Sequence, residues 1–401
     1  MGYAEWRNGG WSMVVDGKAG DTYDDLGGGG PVFSPDSLRT AYAARVGAVW
    51  SVLVDGVAQG QYDDVAEASV LFSPDSKRLA YAACVAGRWF VVVDAEVQAA
   101  YDGVGPILFS PDSRRLAYVA RAGGREVLVA NANEGRRYDR IGTIAFSPDS
   151  KHLAFAALRE GRSFIVVDDQ ERGPYDGVLA GSPVWSPDST RAAYGAVLDG
   201  RSFVVADGAQ ERQYDGVRSI AFSPDGSRMA YVADSGGAAF VVVDGQEGKR
   251  YDRVGFPVFS LDGARMAYGA ALGGSFAVVL DGHEQNPYEL IGDIVFSPDS
   301  KRLAYTARVR GRWVVVVDGR ESDACDLVGP GTLTFGPDSG RLAYGAQSGD
   351  RQLVVVDGIA GRLYDGILTI RGGRIVFDSP DILHFLAAIG KGIFLVEYRA
   401  P

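Results

Sequence analysis

A carboxylate follows a tyrosine at regular intervals along this 401-residue chain. A ring of such carboxylates would hold Ca²⁺ only if about six to eight oxygens converged on one point. Repetition separates these groups, and an Asp before Gly ordinarily caps a turn through the backbone. We therefore predict structural roles and no metal site for Asp63, Asp102, Asp139, Asp176, Asp215, Asp252 and Asp365.

The sequence contains no recognisable catalytic motif. His152, His283 and His384 lie in different repeats and lack the spacing of metal ligands. The G-x-S-x-G elbow of α/β-type serine hydrolases is absent, and so are the glycine motifs that bind nucleotides. Composition does not exclude a glycosidase-like carboxylate pair, but no pair stands out. We predict no catalytic residue and no cofactor.

Arginine recurs at one position of the repeat, immediately before its longest apolar run. On an acidic protein, such arginines would present a positive rim to an acidic partner. The simpler interpretation is that they are ordinary solubilising charges. Six repeats carry this arginine, and two more lie in the last variable segment, so the candidate binding residues are Arg88, Arg125, Arg162, Arg201, Arg312, Arg351, Arg371 and Arg374.

A repeat positions all of these residues. In nine consecutive copies, 29 residues separate the aromatic residue that opens a Ser-Pro-Asp type motif from the following Tyr-Asp, with Cys325 once replacing the Tyr. The link from that Tyr to the next motif has 8, 10 or 13 residues. One segment of the repeat is therefore fixed in length and the other varies.

Each copy predicts four short strands. Ser-Pro-Asp favours a tight turn after the first strand, a Gly-containing turn follows the second, and Asp-Gly commonly closes the third. The third strand is apolar on both faces, as in Val314-Val315-Val316-Val317, which indicates a sheet covered on both sides. Repeated four-stranded antiparallel sheets of this kind predict an all-β protein, a single β-propeller, with a linear solenoid as the main rival.

The chain ends favour a closed ring. Residues 1–32 predict a partial N-terminal blade, residues 33–374 nine full repeats, and residues 375–401 a partial C-terminal blade. Pairing the two fragments gives about ten blades in one domain, with nine or eleven remaining open. Because the chain starts in the middle of a second strand, a propeller module of a larger enzyme or sensor is an alternative.

The FSPDS-x-R-LAY-A core, as at Phe72, resembles the WD40-like propeller repeat of the TolB or PD40 type. The resemblance covers the whole chain, although the Trp-Asp and Gly-His pairs of true WD40 repeats are missing. It implies a binding platform, sometimes an accessory domain of a peptidase and only occasionally an active site. It also implies an envelope location, whereas the lack of a signal peptide favours the cytoplasm.

Bulk properties narrow the choice of partner. The net charge of −11 argues against general nucleic-acid binding, and no apolar run is long enough to span a membrane. Cys84 and Cys325 lie six repeats apart, so we expect no disulfide between them.

In an antiparallel meander, the Gly turn and the variable link share one face, and insertions on one face of a repeat protein often mark its binding surface. We expect a monomeric, non-catalytic scaffold that binds a protein or peptide there. A hydrolase or lyase acting on polysaccharide or peptide at the channel mouth is the alternative.

Overall fold

A computed structural model describes residues 2–7, 9–28, 30–368, 374–390 and 392–399, and these residues form strands and turns without a helix. The chain divides into two compact units, Met1–Trp185 and Ser186–Pro401. We number the sheets in chain order as an N-terminal sheet, blades 1 to 9 and a C-terminal sheet. Blade 5 begins in unit 1 and continues in unit 2.

The strands of unit 1 follow the predicted order. The N-terminal sheet contains β1 (Gly2–Arg7), β2 (Gly10–Val15) and β3 (Lys18–Tyr23). Blades 1 and 2 contain β4 (Asp25–Leu26), β5 (Val32–Phe33), β6 (Thr40–Val46), β7 (Val49–Val54), β8 (Val57–Ala58), β9 (Asp64–Val65), β10 (Leu71–Phe72), β11 (Leu79–Val85), β12 (Arg88–Val93) and β13 (Glu96–Tyr101). Blades 3 and 4 and the start of blade 5 contain β14 (Gly103–Phe109), β15 (Leu116–Ala122), β16 (Arg125–Ala130), β17 (Asn133–Tyr138), β18 (Arg140–Phe146), β19 (Leu153–Arg159), β20 (Arg162–Val167), β21 (Gln170–Tyr175), β22 (Gly177–Val178) and β23 (Val184–Trp185).

Unit 2 repeats the same order. It continues blade 5 and adds blades 6 and 7 with β24 (Ala192–Leu198), β25 (Arg201–Ala206), β26 (Ala209–Gln210), β27 (Gly216–Phe222), β28 (Met229–Ser235), β29 (Ala238–Val243), β30 (Gln246–Glu247), β31 (Arg253–Val254), β32 (Val258–Phe259), β33 (Met266–Leu272), β34 (Ser275–Leu280) and β35 (His283–Tyr288). Blades 8 and 9 and the C-terminal sheet contain β36 (Leu290–Phe296), β37 (Leu303–Val309), β38 (Arg312–Val317), β39 (Arg320–Glu321), β40 (Leu327–Val328), β41 (Thr334–Phe335), β42 (Leu342–Ser348), β43 (Arg351–Val356), β44 (Ile359–Ala360), β45 (Gly366–Ile367), β46 (Val376–Ser379), β47 (Ile382–Ile389) and β48 (Gly392–Arg399).

Blade 3 shows the common topology, a four-stranded antiparallel sheet in the order β14-β15-β16-β17. Its third strand is buried on both faces, because Val127, Leu128 and Val129 are all enclosed. The all-β propeller fold with about ten blades is therefore confirmed by the sheets themselves. Closure through the two terminal sheets, and a single domain, stay predictions.

The hydrophobic core lies between consecutive sheets rather than within one. Blades 1 and 2, for example, share one cluster that includes Val52 and Tyr81. The tyrosine of each Tyr-Asp pair meets an aromatic residue of the next blade, and Tyr62 and Tyr81 also join their hydroxyls at 2.8 Å. Each blade is thus stable only against its neighbours, as expected of a repeat protein.

The Ser-Pro-Asp turns bind consecutive blades together. Asp75 accepts the Ser73 hydroxyl at 2.6 Å, and its own N–H donates to Ser113 Oγ of the next blade at 2.9 Å. Arg78 pairs with Asp94 of its own blade (2.8 Å) and lies 5.2 Å from the Phe109 ring of the next one. The hydrogen bond from Ser73 is the main reason that the pKa of Asp75 is lowered. We call this arrangement the staple.

Candidate functional site

The Tyr-Asp carboxylates cap hairpin turns, but the turns belong to the next blade. Asp215 Oδ2 accepts the N–H of Gly236 at 2.7 Å, and Asp102 Oδ2 accepts that of Gly123 at the same distance. This hydrogen bond is the largest cause of the lowered pKa of both carboxyl groups. The structural role predicted for these aspartates is therefore confirmed where the turn is described, with a different partner from the one expected.

The six repeat arginines do not form an uncompensated positive rim. Each pairs with the aspartate 14 residues later, so that the same carboxylate binds a guanidinium and caps a turn. The pairs are Arg88–Asp102, Arg125–Asp139 (3.6 Å), Arg162–Asp176, Arg201–Asp215, Arg312–Asp326 (3.5 Å) and Arg351–Asp365 (3.2 Å). The constant spacing from Arg to Asp was visible in the sequence and identifies the pairs.

The two remaining candidate arginines are placed differently. Arg374 is exposed and lies just before β46, whereas Arg371 lies outside the described residues. Binding by these eight arginines stays a prediction, but the six paired ones offer a partner much less net charge than the sequence suggested.

The variable link was expected on the face of the Gly turns, and for most of its length this is wrong. Only its first residues lie there, since Asp63 caps the Gly turn at Ala86. The link then becomes the first strand of the next blade, an edge strand of the sheet. In blade 2, Val65 pairs with Ala83 and Phe72 with Leu79, so the extra residues lie between these two pairs.

A hydroxyl completes the strand ladder where the long link leaves it. Ser69 Oγ accepts the N–H of Ala82 at 3.1 Å and donates to Ala66 O at 2.7 Å. In blade 9, Thr332 Oγ1 makes the equivalent bonds with Gly345 N (3.0 Å) and Gly329 O (2.6 Å). The insertion is therefore a small turn set into the middle of the edge strand, comparable to a bulge.

The short links also bulge at this edge. In blade 7 the bulge projects Phe256, whose surface is 75% exposed, between β31 and β32. Gly255 N–H still donates to Gly269 O at 2.8 Å. We call this row of bulges and inserted turns the first-strand edge, and Phe256 is its most exposed large apolar residue among those described.

A mostly apolar hollow of about 460 Å³ opens beside Phe256, between the first strands of blades 7 and 8. Val254, Phe276, Ile291 and Ile294 contribute apolar surface, and Arg253 and Asp293 are among its polar lining. The hollow is open because Gly269 stands where blades 3 and 6 have Val119 and Val232. We call it the Phe256 hollow. The motif analysis missed it, although an aromatic residue in a short link was a usable signal.

The described residues hold no group of three or more His, Cys, Asp and Glu side chains arranged to bind a metal. His152 instead contacts Asp168 (2.6 Å) and stacks on Trp185, with ring centroids 5.6 Å apart. His and Trp thus jointly replace the Arg and Phe of the staple. No helix capable of spanning a membrane occurs in the described parts of the chain.

No family model and no curated protein matches this chain. Among solved structures, it is similar to a eukaryotic initiation factor at 11% identity and a TM-score of 0.44, covering 82% of this chain and 96% of that one. It is also similar to TolB from Acinetobacter baumannii (16%, 0.29, covering 63% and 77%) and to the Dos1 propeller (12%, 0.36, covering 72% and 89%). These identities and TM-scores are too low to transfer a family or a function.

Proposed function

We propose that this β-propeller is a non-catalytic scaffold that binds a protein or peptide at the first-strand edge of unit 2. The observation that carries the proposal is the Phe256 hollow, an apolar cavity beside an exposed aromatic side chain. A concave apolar site with a few polar groups at its rim is the usual form of a ligand site, and anchors at protein interfaces are commonly aromatic.

The partner would insert one apolar side chain into the hollow and pack its backbone against Phe256. Arg253 and Asp293 would then accept and donate hydrogen bonds at the rim, because one is cationic and the other anionic. The FSPDS-x-R-LAY-A motifs support a relationship to the TolB or PD40 type of repeat, which we include in the proposal.

Two substitutions test the hollow directly. Peptides selected from a random displayed library against the wild-type protein would be synthesised and titrated by fluorescence polarisation. Phe256→Ala removes the exposed ring, and Gly269→Val fills the hollow, since an added Cβ would lie at an ordinary 3.7 Å from Ile291. We expect each variant to weaken binding at least tenfold, or about 1.4 kcal/mol.

Leu261→Ala is the matched control. Leu261 is a similarly exposed apolar residue of the same blade, 62% accessible, but it lies in the Ser-Pro-Asp type turn at the opposite end of the first strand. Its loss should leave peptide affinity unchanged. If the selected peptides bound Phe256→Ala and Gly269→Val as tightly as wild type, the proposed site would be wrong.

A further inference from the structure

Two grooves occupy equivalent positions between neighbouring blades. One lies between blades 3 and 4, has a volume of about 280 Å³ and is lined by Arg115, Leu128, Leu153, Phe155, Asp168 and Asp169. The other lies between blades 6 and 7, has a volume of about 380 Å³ and contains the equivalent Arg228. We call them the Arg115 groove and the Arg228 groove. Because the repeat is the same, their differences show what has changed.

The Arg228 groove has its staple charges paired. Arg228 Nε donates to Asp244 Oδ2 at 3.1 Å, and Arg265 of the next blade pairs with Asp281 at the same distance. Glu247, at its rim, pairs with Arg212 at 3.0 Å. This groove is the reference for a repeat in which the staple is complete.

In the Arg115 groove, the equivalent carboxylate is missing. Asn131 replaces the aspartate, and its Oδ1 still accepts the N–H of Leu116 at 3.2 Å. Arg115 Nη1 donates to Ser150 O and Lys151 O, both at 2.8 Å, but the buried Nε has no hydrogen-bond partner among the described residues. Arg115 therefore keeps a positive charge that no neighbouring carboxylate balances.

The same groove gains a negative charge on its other side. Asp169 occupies the turn position that Gly245 and Gly282 hold in blades 6 and 7, and it is exposed. Within the described part of the chain, no cation lies within ion-pair distance of it. The other acids at the groove are occupied, because Asp168 contacts His152 (2.6 Å) and Glu134 lies 3.7 Å from Arg137.

We propose that the Arg115 groove binds a small zwitterion of the α-amino-acid class. Its carboxylate would take the place of the missing aspartate beside Arg115, and its ammonium group would face Asp169. Leu128, Leu153 and Phe155 offer apolar surface to an aliphatic side chain. The volume is near the lower limit for ligand pockets, about 300 Å³, which favours a ligand of amino-acid size. This site is separate from the Phe256 hollow and does not depend on it.

Calorimetric titration with three related probes tests the charge requirement. L-leucine carries both charged groups, 4-methylpentanoate lacks the ammonium group and 3-methylbutylamine lacks the carboxylate. We expect saturable binding of L-leucine with 1:1 stoichiometry, and at least tenfold weaker binding of both analogues. Absence of saturable L-leucine binding up to about 10 mM, beyond the range of useful small-ligand affinities, would overturn the proposal.

Two substitutions test the residues. Asn131→Asp restores the carboxylate found in the other blades, so it should keep the fold and weaken L-leucine binding at least tenfold. Asp169→Gly should reduce the preference for L-leucine over 4-methylpentanoate. The double change Asp244→Asn and Gly282→Asp recreates the charge pattern in the Arg228 groove and should add a second bound equivalent. Unchanged affinity in Asn131→Asp would show that Arg115 is not the carboxylate site.

Discussion

At the scale of single residues, one carboxylate serves two neighbours. Asp215 caps the turn at Gly236 in the next blade and pairs with Arg201 in its own. The cap is expected to contribute more, because exposed ion pairs are typically worth little, whereas a turn N–H without an acceptor loses a hydrogen bond. Sequence reasoning identified such residues as turn caps but could not identify the turn, since the partner lies about 21 residues further along the chain.

Asp215→Ala and Arg201→Ala separate these two contributions. We expect Asp215→Ala to lower the Tm by about 2–4 °C, and Arg201→Ala, which leaves the cap intact, to lower it by less. Thermal denaturation followed by circular dichroism measures both. Equal losses in the two variants would contradict the assignment of the cap as the larger effect.

The pH dependence of the same variant has a defined sign. The pKa of Asp215 in the folded protein is lowered from its ordinary value of 3.8, mainly by the N–H of Gly236. Its contribution to stability is therefore present above pH 3.8 and is lost as the pH falls through the lowered pKa. The difference in Tm between wild type and Asp215→Ala should narrow below that pH.

At the scale of the strand, the inserted turn explains how links of different length fit equal blades. Both ends of the first strand of blade 2 pair in register with β11, so the extra residues can only leave the ladder in its middle. Counting residues showed that the link varies, but not where the ladder resumes, because that depends on pairing with another strand. This is why the predicted binding face was placed at the hairpin turns instead of the first-strand edge.

Ser69→Ala tests whether the hydroxyl completes the ladder. We expect a loss of about 1–2 kcal/mol in the free energy of unfolding, because the N–H of Ala82 would lack its acceptor, and faster hydrogen exchange at that amide. Ser69→Thr is the control, since Thr332 plays the same part in blade 9. Similar stability in all three proteins would show that water replaces the hydroxyl without cost.

At the scale of the molecule, the arginine–aspartate pairs change how a partner is recognised. The repeat, the four-stranded blades and the apolar third strands were all predicted from spacing and hydrophobic pattern. The pairing was not, because a positive rim and a series of ion pairs have the same composition. An acidic protein of net charge −11 with its repeat arginines already paired is poorly suited to bind by charge alone.

Binding at the Phe256 hollow should therefore depend weakly on salt. Between about 0.05 and 0.5 M NaCl, where charge–charge attraction is strongly screened, we expect the Kd of a selected peptide to change less than about threefold. Fluorescence polarisation at a series of salt concentrations measures this. A loss of tenfold or more would instead favour recognition through the arginines.

The staple has a consequence for how such a chain grows. Each Ser-Pro-Asp turn requires only a like turn on the next blade, because the N–H of Asp75 is bound by Ser113 just as the N–H of Asp112 is bound by Ser150. A duplicated copy therefore arrives with both of its junctions already satisfied, and a deleted copy leaves its former neighbours compatible. Copy number can drift in evolution, or be chosen by an engineer, without redesigning a single interface.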